Sequence, residues 1–406
     1  MASEPDKQKL ERNVGNTLAL AFFQVFMVII PVAVPFFQSR GLSMQDVLLL
    51  QALFAVVVLV SEVPSGYAAD LLGRKWTLVV GAVFAGIGHS LLLVAHDFWS
   101  LAAFEIALGI SGSLISGADI ALLYDSEAAL GRPEQAQRQV VGRLYGVRTF
   151  SEAIAGVVCS ILLLWSMELA VYVQAAVGWI PLVLALRLQE PPGTRLSQTG
   201  HVANMGRIFG YLANHSRVLV LTMLALCIWS LTTFYAFWFL QRLWQEQGVA
   251  LSNFGYLLAA LSVLAALAGR WAHVVEERLG TSGALLLIGV APVLGYMGLA
   301  LFGPVGAYLT SATFFVARGV GLVILRDALN RRVPAEYRAT ANSLASFGFR
   351  GAFALTAPLI GQVFDLWGMG TTLWLLAVAS LVIFVVLIVP LLLAARAQTL
   401  LPRAPA

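Results

Sequence analysis

The sequence predicts an all-α polytopic membrane protein of twelve transmembrane helices in two six-helix repeats. Three observations predict it. Of 406 residues, 59% are hydrophobic and 11% charged, with a mean hydropathy of +0.84, too apolar for a soluble chain of this length. Apolar stretches long enough to cross a bilayer core of roughly 30 Å, about 20 helical residues each, recur between short polar turns. Basic residues sort to alternate connections: outside the spans, only Arg40 and Arg242 fall on the side opposite the others, so the positive-inside rule places both termini in the cytoplasm.

Twelve stretches meet the length requirement, at about 16–38, 46–70, 76–95, 100–123, 142–165, 168–187, 217–240, 250–272, 281–302, 305–327, 339–363 and 371–394. The first carries Phe22, Phe23, Gln24 and Phe26, with Pro31 and Pro35 able to bend it. Between the second and third lies Glu62-Val63-Pro64-Ser65-Gly66-Tyr67-Ala68-Ala69-Asp70-Leu71-Leu72-Gly73-Arg74-Lys75. Here Gly66 is expected to permit close packing near a helix end and Gly73 a tight turn. Arg74 and Lys75 put positive charge where the chain leaves the bilayer, and Asp70 at that depth needs a partner.

The longest hydrophilic stretch divides the chain into halves 1–188 and 217–406, joined by a cytoplasmic linker at 189–216 that opens on Pro191-Pro192-Gly193. Within it, Arg207 to Asn214 has the pattern of an interfacial amphipathic helix or of a plain linker. The halves align internally. Ser116-Gly117 with Asp125 matches Arg318-Gly319 with Asp327, and Pro133, Arg138 and Leu144 match Pro334, Arg338 and Leu344.

Several function classes are excluded or disfavoured. The basic pI follows from topology, which removes the argument for a nucleic-acid partner. Met1 to Leu10 is charged in both signs and lacks the apolar core of a signal peptide. Cys159 and Cys227 have neither metal-ligand nor disulfide spacing. No phosphate-binding loop, Ser/His/Asp set or metal cluster is present in the sequence, so no cofactor, metal or enzymatic activity is expected.

The residues resemble the major facilitator superfamily. The loop pattern is met at Gly66, Asp70, Gly73, Arg74 and Lys75, with Leu71 in place of a usual basic residue. Glu62-x-Pro64-Ser65 and Ser116-Gly117 with Leu123-Tyr124-Asp125 are similar to a bacterial subgroup described as drug or metabolite exporters, and Asn330, Pro334, Glu336, Arg338, Ala339 and Thr340 fit the same proteins. The resemblance implies the two-half fold of that superfamily and a multi-pass protein of the bacterial inner membrane. It also implies a conformational latch in which Asp70 caps the start of helix 11 near Glu336 and Arg74 reaches Asp125. The sequence departs from the pattern of proton-coupled relatives twice. Glu105, four residues before Gly109, stands where many carry arginine, and helix 5 lacks their Gly-Pro signature.

Ionisable residues inside spans are functional candidates by default. Glu105, Asp119, Glu62 and Glu152 are the candidates for proton coupling, with Glu105 first because no arginine lies near it in sequence. Arg148 and Glu152, spaced i,i+4, are expected to share a helix face and neutralise one another. Glu62 is expected to meet Arg350 across the halves. Candidates for a substrate cavity are Gln24, Arg148, Trp229, Phe234, Tyr235, Trp238, Arg318 and Arg350. The aromatic content of helix 7 suits a lipophilic ligand, including a cation held by ring faces. His89 reads as a packing histidine or as a group titrating near neutrality. The expected function is proton-coupled export of a small lipophilic or amphiphilic compound by a monomer in the lipid bilayer. Alternatives are uptake of an organic anion, metabolite or siderophore, and lipid movement or sensing.

Overall fold

Each long apolar run folds as helix because nothing else satisfies backbone N–H and C=O groups in hydrocarbon. The computed structural model describes residues 4–191, 216–334 and 337–400. Helix is the regular structure throughout, and no strand occurs among the described residues. The elements are α1 (Glu4–Val25), α2 (Ala33–Ser39), α3 (Met44–Leu72), α4 (Arg74–Leu91), α5 (Phe98–Ile115), α6 (Ala118–Ala129), α7 (Glu134–Leu162), α8 (Met167–Val177), α9 (Ile180–Leu186), α10 (Arg217–Leu224), α11 (Ser230–Glu246), α12 (Leu251–Arg270), α13 (Ala272–Leu301), α14 (Pro304–Arg332), α15 (Arg338–Ile383) and α16 (Val389–Leu400).

Eleven helical stretches among the described residues are long and apolar enough to cross a membrane, the last running 58 residues from Thr340 to Ala397. At 1.5 Å per residue that stretch would extend about 87 Å, far more than one bilayer core. Gly368, at φ 75° and ψ −178°, is non-helical and divides it into two arms. Twelve passes result. Helices overshoot their apolar runs, α7 beginning at Glu134 and α3 continuing to Leu72. Hydropathy marks the lipid-facing part of a helix, whereas its hydrogen bonds persist into the polar zone. The proposed helix at 207–214 lies outside the described residues.

Contacts group the chain into unit 1, Met1–Ser197 with Val249–Ala260, and unit 2, Gln198–Gly248 with Leu261–Ala406. In unit 1, the ring of Trp179 fills the space a Cβ on Gly86 would occupy, and its indole N–H donates to Ser90 Oγ at 3.0 Å. Gly156 of α7 and Gly255 of α12 bring two backbones into contact, beside Ser160 Oγ, which accepts the Tyr256 N–H at 2.9 Å. Asp97 starts α5 by accepting the Ser100 N–H at 2.9 Å. Hydrogen bonds from the Ser100 side chain and then its backbone hold the Asp97 carboxyl below the usual carboxylate range. Unit 2 is centred on an apolar cluster that includes Leu219, Trp229, Ile288, Val320, Leu329, Ala341 and Ile388.

The aligned glycines of the two halves do different work. Gly117, at φ 91°, breaks the fourth span between α5 and α6. Gly319 sits inside the continuous α14, where a Cβ would strike the Ala265 carbonyl.

Candidate functional site

Three polar or aromatic constellations stand out. The first is the turn between α3 and α4, made by one residue. Gly73 has φ 89° and ψ 163°, a conformation that L side chains rarely adopt. It also makes room: a Cβ there would lie 2.9 Å from Glu190 Oε1. The Glu190 carboxylate accepts the N–H groups of Arg74 and Lys75, each at 2.7 Å, and so caps the first turn of α4. A carboxylate at a helix N-terminus gains roughly 0.3 to 1 kcal/mol from the aligned peptide dipoles.

Fully buried Asn13 of α1 fixes the neighbouring Gln189, donating to its carbonyl at 2.7 Å and accepting its N–H at 2.8 Å. The same amide donates to Ser126 Oγ of α6 at 3.0 Å. Arg74 Nε lies 3.6 Å from Asp125 Oδ2, an ion-pair distance, while its Nη1 donates to the Ala69 carbonyl at 3.3 Å. Nearby, fully buried Glu127 accepts from Arg132 Nη1 at 2.7 Å.

The expected Arg74–Asp125 contact is therefore present. The close packing expected at Gly66 is not: the residue is exposed, and a Cβ there would meet nothing within 4 Å. The Asp70 side chain and Glu336 lie outside the described residues. Sequence reading missed Glu190, which it counted within the linker. The available signal was a carboxylate three residues past the end of span six, just ahead of Pro191-Pro192.

The second constellation is a pair of buried acids in unit 1. Because Gly117 breaks the helix, Asp119 falls in the first turn of α6, where it is fully buried. Its Oδ1 accepts the Ile120 N–H at 2.7 Å, and its Oδ2 accepts from Arg148 Nη2 of α7 at 2.5 Å. The i,i+4 spacing pointed Arg148 to Glu152, but the guanidinium pairs with Asp119 instead. The break at Gly117 brings this carboxylate to α7, and Glu152 is exposed.

Glu105 is 4% exposed and accepts the Gln51 Nε2–H of α3 at 2.6 Å. Its face of α5 continues with Gly109, packed against Val57, and Ser113, whose hydroxyl donates to the Val58 and Gly109 carbonyls. Glu105 is therefore a buried acid whose hydrogen bond comes from a neutral amide. His89 is packed against Gly178 and Phe104. Gln24 lies at the end of α1, just before the break at Met27, and its Oε1 is buried. Glu62 is half-buried on α3.

The third constellation is the aromatic face in unit 2. The Phe234 ring meets Phe353 edge-on at 4.9 Å and Phe349 at 5.3 Å, with Trp238 at 6.4 Å. Tyr235 packs on Phe353 and shares a 2.6 Å hydrogen bond with Thr356. The guanidinium carbon of Arg318 lies 5.6 Å above the Phe234 ring. Trp229 is not part of this face. It is 1% exposed in the core of unit 2, its N–H donated to the Ile288 carbonyl at 3.0 Å. Trp238 and Phe239 are buried. Arg350, half-buried, lies on α15 beside Phe349.

Broken spans, a charged turn and buried acids recur in carriers built from repeated helical halves. A family model described as Major Facilitator Superfamily matches residues 15–331. The chain belongs to the major facilitator superfamily. It is accordingly a secondary transporter of the membrane, not an enzyme.

Among solved superfamily structures, the bacterial homologue of the human lysosomal transporter Spinster, inward-facing and unoccupied, superimposes with a TM-score of 0.77 at 17% identity over 100% of both chains. The nucleoside transporter NupG gives 0.72 at 14% identity over 96% of this chain and 99% of that one. A D-xylose–proton symporter gives 0.65 at 13% identity over 95% and 97%. These likenesses show the fold alone. The quinolone resistance protein NorA of Staphylococcus aureus is 24% identical over 118 residues, 28% of this chain and 30% of the relative. The match thus spans under a third of that protein's length.

Proposed function

We propose that this transporter exports a small lipophilic or amphiphilic organic compound in exchange for protons. It would act as a monomer by alternating access in the bacterial inner membrane, with both termini and the Gly73 turn in the cytoplasm. The observation that carries the proton coupling is Glu105, an interior carboxyl whose hydrogen bond comes from the neutral amide of Gln51. Neutralising it by proton uptake removes a buried charge without breaking an ion pair. Asp119, already paired with Arg148, is the second acid in the pathway. The segment similar to a quinolone resistance protein supports outward movement. The Gly73 turn, with Glu190 and the Arg74–Asp125 pair, supplies contacts whose making and breaking can bias one access state over the other.

Flux into vesicles holding the purified protein, with imposed proton gradients, tests this reading. Glu105→Gln keeps the Gln51 contact sterically but cannot ionise. It is expected to lose gradient-driven transport by about tenfold or more, the scale set by losing one coupled protonation, while substrate still equilibrates down its own gradient. Full gradient-driven transport by Glu105→Gln would remove Glu105 from the mechanism. A second reading, uptake of an organic anion, metabolite or siderophore, is favoured by one observation, the arginine over the Phe234 ring.

A further inference from the structure

Charge inside the membrane is divided between the units. Away from their ends, the spans of unit 1 carry Glu62, Glu105, Asp119 and Glu152 with one arginine, Arg148. In unit 2 no aspartate or glutamate occurs at 217–245, 281–326 or 338–364, and the same stretches hold Arg318 and Arg350 at span depth. An arginine at span depth is a candidate contact for a visiting anion.

The aromatic face adds a second, independent observation. Ser230, Phe234 and Trp238 follow at intervals of four on α11, so they share one face. Most hydroxyls of that helix are engaged. Thr232 donates to the Trp229 carbonyl at 2.7 Å, Thr233 to the Ser230 carbonyl at 3.2 Å, and Tyr235 pairs with Thr356. The two polar groups flanking Phe234 are not. Trp238, 4% exposed, and Ser230, 6% exposed, bury the indole Nε1–H and the hydroxyl without a hydrogen-bond partner. Native proteins seldom leave such groups unmet, and at functional sites a ligand meets them.

An indole N–H and a guanidinium donate only, and a serine hydroxyl can donate. The geometry points to a substrate subsite in unit 2 for a planar aromatic compound bearing a carboxylate or similar anion. Its ring packs against Phe234, Phe349 and Phe353, its anion meets Arg318, and Trp238 Nε1 and Ser230 Oγ donate to its remaining acceptors. A lipophilic cation is disfavoured because Arg318 already lies over the ring face it would use. This inference rests on the protein carrying small organic compounds, and it names their class whatever the direction of transport or the coupling ion.

Equilibrium binding to the purified full-length protein, with no gradient present, separates this inference from proton coupling. The probes are a naphthalene carboxylate, its neutral carboxamide and a naphthylmethylammonium ion. The carboxylate is expected to bind about tenfold more tightly than either other probe, the scale of a charge-assisted contact. Arg318→Met should erase that preference while leaving carboxamide affinity unchanged, Arg318→Lys should keep part of it, and Trp238→Phe should weaken the carboxylate roughly threefold to tenfold. Tighter binding of the ammonium probe overturns the proposal. So does Arg318→Met that remains monodisperse, keeps its melting temperature and binds the carboxylate as wild type does. If Arg318→Met lowers the melting temperature without changing the ratio among probes, the arginine is a structural counter-charge and the subsite fails. Should the binding pattern hold while Glu105→Gln transports normally, the substrate class stands and proton coupling through Glu105 falls.

Discussion

Asp119→Ala is expected to abolish transport and to destabilise the purified protein by about 3 to 5 kcal/mol, the usual effect of stranding one member of a buried ion pair. The stranded group is Arg148, whose Nη2 loses its 2.5 Å partner while its Nε is already buried without one. Removing both charges tells a structural pair from a working one. Asp119→Ala with Arg148→Ala should recover most of the melting temperature, because no uncompensated charge remains. Transport should stay below roughly a tenth of the wild-type rate, because the acid is gone. Thermal unfolding in detergent and vesicle flux measure the two quantities separately. A double variant that transports normally would make the pair a strut between α6 and α7.

Gly73→Ala should reduce transport about tenfold while leaving the protein in the membrane. The φ of 89° costs an L residue roughly 1 to 2 kcal/mol. The new methyl would also displace the Glu190 carboxylate from the N–H groups of Arg74 and Lys75. Glu190→Ala removes the obstacle, so the two substitutions should be non-additive. The double variant is expected to be no worse than Gly73→Ala alone, and a flux cycle over the four proteins reads the coupling. Strict additivity would show that the cap and the turn act independently.

The number and order of the passes and their helical type were legible because lipid leaves the chain no alternative to helix, whereas breaks inside a span, such as that at Gly117, were not. The Gly73 turn was legible because glycine and a basic pair mark where a helix must end and the chain reverse. The Arg74–Asp125 contact followed from resemblance, and the structure contains it. What hydropathy could not read was the partnering of charges across helices. The i,i+4 rule paired Arg148 with Glu152 because it sees one helix, whereas the partner came from a neighbouring span turned by Gly117. Glu190 escaped notice because a polar residue after a span looks like linker until its carboxylate is found on another helix's N-terminus. Trp229 illustrates the reverse error. An aromatic on a candidate face proved to be core, since periodicity cannot tell a cavity wall from packing.

The proposed transport turns on exchange of proton for substrate through the acids of unit 1. The direct measurement is proton movement itself, followed with a pH indicator inside vesicles at clamped zero potential while an outward gradient of a transported compound is imposed. Protons are expected to move opposite to the compound, in proportion to its concentration, and to stop moving in Glu105→Gln. Compound flux with no proton movement, or with protons moving in the same direction, would contradict that exchange.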